Sequence, residues 1–175
     1  MADNLITGGE ETSDVLIVAL MLEKGAVEFY TKAQKLIKDE KAVQVFQRLV
    51  VMEDTHLQRL YMRYSQLLWE MKSLLGAADK LPSLDQLKVE LSTVYMEGGM
   101  RINEELVKIG DLAFMDDLEA LEMGLEKEYM AYDFYKRAAD TVDDHKTRNL
   151  LRELVLEEKE HINLLLQEIE ERGDH

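Results

Sequence analysis

The 175-residue chain carries 36 acidic against 21 basic side chains, a net charge of −15, at an ordinary hydrophobic content of 46%. Such a charge repels phosphate backbones and anionic bilayer surfaces, so neither nucleic acid nor membrane is expected as a partner, and this length favours a single domain over 1–175. Cysteine is absent, which excludes disulfides, thiolate nucleophiles, iron-sulfur clusters and cysteine-bound metal; any metal must sit on oxygen and nitrogen.

The start, MADNLITGGEETSD, lacks the basic residues and apolar run of a signal peptide. No apolar stretch approaches the roughly 20 residues that span a bilayer, and a cytoplasmic location is expected. Long stretches rich in Leu, Glu, Lys, Ala and Met, with Pro82 as the only proline, predict an all-α fold.

In chain order, the first predicted helix covers 14–38, with Thr12 or Ser13 as its N-cap and an apolar seam of Leu16, Leu20, Ala26 and Tyr30 that Glu23 interrupts. The second covers 40–75 and stops at Gly76. Its stripe of Phe46, Leu49, Leu60, Tyr64 and Leu67 has two missing rungs, filled by Glu53 and His56. Residues 76–114 carry Gly76, Pro82, Gly98, Gly99 and Gly110 and read as a long crossover with short helical patterns at LDQLKVEL and RINEELVKI. A third helix over 115–141 places Glu128 between Leu121, Leu125 and Ala131, Tyr135. The fourth, over 144–171, sets Glu158 and His161 among Leu151, Leu154 and Leu165. Short turns after Lys38 and near Asp143 make two antiparallel hairpins, 14–75 and 115–171, of a four-helix bundle.

Sliding the chain against itself by 105 positions superposes these hairpins without a gap. Glu23, Ala26, Phe29, Tyr30, Ala33, Leu49, Glu53, His56 and Leu60 fall on Glu128, Ala131, Phe134, Tyr135, Ala138, Leu154, Glu158, His161 and Leu165. A chance match between helices shares Leu and Ala; this one shares three polar residues per half. Glu23 and Glu53 lie equally far from Lys38, so at 1.5 Å per residue both sit ~22 Å from the turn, and Glu128 is level with Glu158 about Asp143.

Four carboxylates and two imidazoles therefore converge in one inward-facing layer. A buried, unpaired carboxylate costs several kcal/mol, so the layer requires compensating positive charge. Two divalent cations balance four Glu⁻, and the mixed donors suit Fe, Mn or Zn better than Ca or Mg. Glu-x-x-His puts both donors one helical turn apart on one face.

Tyr30 and Tyr135 lie two turns beyond the first Glu of each half, where a hydroxyl can reach a metal-bound carboxylate or simply pack. Phe29, Phe134, Trp69 and most of the ten methionines read as packing. Glu28 and Asp133 fall on a solvated face, and His145 and His175 lie near a turn and at the terminus, away from the layer.

The segments LEKGAVEFYTKA, VVMEDTHLQRL, EKEYMAYDFYKRA and LVLEEKEHINLL resemble the ferritin-like superfamily, most closely its rubrerythrin branch. The resemblance implies two irons, with Glu23 and Glu128 as terminal ligands, Glu53 and Glu158 bridging, and His56 and His161 each holding one. It also implies reduction of peroxide or dioxygen in defence against oxidative stress, electrons from an external donor protein, and a homodimer or small homo-oligomer. Two features depart from that branch: the four cysteines of a rubredoxin-type domain are missing, and Ala131 stands where rubrerythrins carry a further Glu. The remaining set of four Glu and two His is similar to a bacterioferritin ferroxidase site, which keeps iron oxidation for storage or transfer as an alternative, beside a non-catalytic bundle stabilised by metal.

Overall fold

The computed structural model describes residues 3–75, 81–91 and 116–173. The helices run in the order α1 (Asp3–Leu36), α2 (Glu40–Leu75), α3 (Leu84–Leu91), α4 (Asp117–Thr141) and α5 (His145–Gly173), with no strand among the described residues. Helix α1 packs along α2 and α4 along α5; the hairpins meet through α1 against α4 and α2 against α5. This is an all-α ferritin-like bundle. No helix among the described residues is long and apolar enough to cross a membrane.

Side chains close the turns. Asp39 accepts the Ala42 amide at 3.0 Å, capping α2, while the Lys38 and Asp39 amides donate to the Asp117 carboxylate at 3.1 and 3.0 Å. The first hairpin's turn is thus tied to the second hairpin's opening turn. Helix α4 begins with a reciprocal capping box between Asp116 and Glu119. Helix α3 coincides with the LDQLKVEL pattern, begins on a Ser83–Gln86 pair, and buries Leu87 and Leu91 against the core. The RINEELVKI pattern and the Gly76 stop lie outside the described residues.

Two sequence expectations are corrected. Helix α1 begins at Asp3, so Thr12 is a buried interior residue and neither it nor Ser13 caps the helix; the continuing turns satisfy the backbone N–H groups that a cap would serve. Trp69 is 64% exposed rather than packed. It stands two residues from inward-facing Leu67, about 200° around the helix and on its opposite side.

The apolar core falls into two clusters. Leu16, Leu20, Leu57, Leu60, Ala131, Tyr135, Leu151 and Leu154 pack at one level; Phe29, Tyr30, Phe46, Leu49, Leu121 and Leu165 pack at the other. Along every long helix the polar residues singled out by the repeat lie between the two.

At the far end Asp144 caps α5, accepting the Thr147 amide at 2.6 Å, and takes a 2.8 Å hydrogen bond from the buried Arg63 guanidinium of α2. Burial raises the Asp144 pKa, but the Thr147 amide, the Thr147 hydroxyl and Arg63 outweigh it and hold the carboxyl below its usual range. Its contribution to stability is therefore complete above the ordinary carboxylate range and fades as pH falls through the depressed value. Asp144→Ala is expected to cost about 2 kcal/mol, combining a lost cap with a partly unpaired buried cation. Chemical denaturation at neutral pH checks this, and the deficit should shrink at acid pH.

Candidate metal centre

Glu23 from α1, Glu53 and His56 from α2, Glu128 from α4, and Glu158 and His161 from α5 are all buried, each at most 3% exposed. Glu53, His56, Glu158 and His161 each bring one ligand atom within 4.8 Å of the others. The two imidazoles stack 5.1 Å apart, 13° from parallel. Glu23 and Glu128 sit on opposite flanks of this group.

Both rings turn Nδ1 toward carboxylate oxygens. His56 Nδ1 lies 3.2 Å from Glu53 Oε2, 3.2 Å from Glu158 Oε1 and 3.7 Å from Glu23 Oε2. His161 Nδ1 lies 2.8 Å from Glu53 Oε1, 3.2 Å from Glu158 Oε2 and 3.2 Å from Glu128 Oε2. Glu53 and Glu158 therefore offer one oxygen to each imidazole, while Glu23 serves only His56 and Glu128 only His161. The sequence repeat reappears as a two-fold arrangement of donors.

The electrostatics follow the same division. Burial, then the charges of Glu53 and Glu158, push the Glu23 pKa well above the usual range; burial and Glu53 do the same to Glu128. Burial also pulls Glu53 upward, but the adjacent His161 and His56 rings outweigh it and hold that carboxyl low. Glu158 is likewise held low by His161 and His56, against burial and the Glu53 charge. Burial opposes protonation of the imidazoles, yet Glu128, Glu158 and Glu53 push His161 up to about 12, and Glu158, Glu23 and Glu53 raise His56.

The donor set fits a metal ion. Glu53 Oε1, His56 Nδ1 and both Glu158 oxygens are buried with no hydrogen-bond partner among the described residues. Glu53 Oε1 is close to His161 Nδ1, but that nitrogen is aligned with Glu128 instead. Buried lone pairs left unmatched at the centre of a carboxylate nest are what a metal ion satisfies.

Tyr135 donates to Glu23 Oε1, and Tyr30 donates to Glu128 Oε1 and to the Gly124 carbonyl, 3.2 Å away. Each hairpin's hydroxyl thus holds the other hairpin's flanking carboxylate. Gly124 leaves room for this: a Cβ there would stand 3.1 Å from the Tyr30 ring, which Phe29 and Phe46 already enclose. Tyr135→Phe is expected to preserve the fold and weaken divalent-ion binding about tenfold, as measured by competition with a chromogenic chelator.

A small cleft between α1 and α4 reaches Glu23, Glu53, Glu128 and Glu158 past Leu22, Ala26, Met130 and Ala131. Lys127 also lines it, with its pKa lowered to about 8 by burial. The room inside is about 20 Å³, enough for a water-sized guest.

The family model for rubrerythrin matches residues 14–169 of this chain. The chain belongs to the rubrerythrin family. No match to a rubredoxin domain accompanies it, and no curated protein and no solved structure matches the chain. Within the rubrerythrin framework Ala131 is 9% exposed and lines the cleft, so a methyl group occupies the place where the resemblance implies another carboxylate. Sequence reasoning missed Glu157 and Arg59. His56 Nε2 lies 2.8 Å from Glu157 Oε2, and Arg59 grips Glu157 at 2.6 and 2.8 Å and Glu153 at 2.6 Å. The repeat carries no signal for them, because Glu157 falls on Met52 and Leu164 on Arg59.

Proposed function

We propose that the layer is a di-iron centre and that the protein is an oxidoreductase reducing peroxide or dioxygen with electrons from a separate donor protein. The observation that carries this reading is the sharing of Glu53 and Glu158 between two imidazoles, each of which also has a private carboxylate. In it, Glu53 and Glu158 would be shared by two irons, Glu23 and His56 would complete one position, and Glu128 and His161 the other. Two irons so held supply Lewis acidity toward an O–O bond and a reversible two-electron store. The chain's residues do the rest: Tyr30 and Tyr135 orient the private carboxylates, the shared pair keeps the charge near neutral, and the narrow cleft has room for a small oxidant but not for a larger organic substrate.

Anaerobic Fe²⁺-loaded protein mixed with peroxide or dioxygen in a stopped-flow instrument tests the proposal. The expected result is oxidation at least 10²-fold faster than that of free Fe²⁺ in the same buffer, on the order of one or more catalytic effects. Rates equal to free iron with both oxidants would sink it. Ala131 favours one second reading, oxidation of Fe²⁺ for storage or transfer, since its methyl group offers no carboxylate there to exchange between irons. Sustained turnover with an added reductant supports the first reading, and accumulation of ferric product by a large closed assembly, seen by native mass, supports the second.

A further inference from the structure

The two-fold symmetry of the donors stops one bond outward. His56 Nε2 is 2.8 Å from Glu157 Oε2, and Arg59 holds that carboxylate through two contacts. Applying the 105-residue shift to the same three positions gives His161, Met52 and Leu164. An acid and a guanidinium in one half are thus a thioether and an isobutyl group in the other. Correspondingly, His161 Nε2 is buried without a hydrogen-bond partner among the described residues.

An imidazole whose outer nitrogen is bonded to a carboxylate is fixed in orientation and is a more basic donor, and losing such a partner typically costs 10–100-fold in metal affinity. We infer that the two metal positions are unequal by construction: the one at His56 and Glu23 is the tight position, and the one at His161 and Glu128 is the weak, exchangeable one. Glu157 is the positioning residue responsible, acting through His56 and buttressed by Arg59. The inference rests on the two-metal reading of the layer.

Co²⁺ titration of metal-free protein, read by calorimetry and by the visible d–d bands, tests it in two single-position backgrounds. His161→Ala keeps the His56 position and His56→Ala keeps the other, so repulsion between two bound ions does not enter. The first variant is expected to bind Co²⁺ about 10–100-fold more tightly than the second. Adding Glu157→Gln should erase most of that difference and shift the d–d bands of the His161→Ala protein only. Adding Met52→Glu to the His56→Ala protein should tighten it. Equal affinities in the two backgrounds, or a Glu157→Gln effect of the same size in both, overturn the inference while leaving the metal site standing. No Co²⁺ binding by the unsubstituted chain overturns the two-metal reading itself. Glu157 is more than one-third exposed, so its substitution perturbs no core packing; circular dichroism confirms the fold of every variant.

Discussion

Glu53→Ala is expected to reduce the metal content of Fe²⁺-loaded protein from about two ions per chain to one or fewer, and to abolish rapid oxidation by either oxidant. The reason is geometric. Glu53 presents one oxygen 3.2 Å from His56 and the other 2.8 Å from His161, so its removal strips a donor from both positions at once, and Glu158 alone must offset the charge between them. Glu158→Ala should behave alike. Glu28→Ala, on the same hairpin but paired with Lys24 away from the layer, should keep the full complement. Mass-spectrometric metal analysis after removing loosely bound ions decides the matter: two ions retained in both Glu53→Ala and Glu158→Ala would remove the basis for the assignment.

Loading should also be strongly coupled to protons. Burial and the neighbouring carboxylates push Glu23 and Glu128 well above the usual carboxylate range, and the carboxylates around them raise both imidazoles against the effect of burial. Each of these four groups binds metal in its deprotonated form, so metal binding is expected to release protons. Because the folded-state pKa values are raised, protons compete across the neutral range instead of only below the ordinary imidazole value. Affinity therefore falls as pH falls, and continues to improve above pH 7. Calorimetry in buffers of different ionisation enthalpy counts the protons. A release near zero would show that the metal-free layer is already deprotonated, contrary to its electrostatics.

The six inward residues were legible in the sequence because Glu and His are chemically out of place on an apolar seam, and a duplicated chain displays the anomaly twice at one spacing. Helix positions followed from the same seams, as α3 at LDQLKVEL shows. What escaped has physical causes. The N-terminal reach of α1 is continued by backbone hydrogen bonds that leave no side-chain signature, while Thr12 carries the composition of a cap. Trp69 was misplaced because an aromatic residue beside an apolar stripe is indistinguishable by composition from one within it. Glu157 and Arg59 act across hairpins, through contacts between residues 98 positions apart, and because they are not repeated, the internal repeat that marks the six inward residues carries no trace of them.

The exchange of tyrosines between hairpins bears on how the protein matures. Neither hairpin contains the whole arrangement: Glu23 is held by a hydroxyl from the second, Glu128 by one from the first, Glu53 lies beside His161 of the second and Glu158 beside His56 of the first. On the two-metal reading, the complete donor set would form only on hairpin docking, since the first half of the chain offers Glu23, Glu53 and His56 but neither Glu158 nor the Tyr135 hydroxyl.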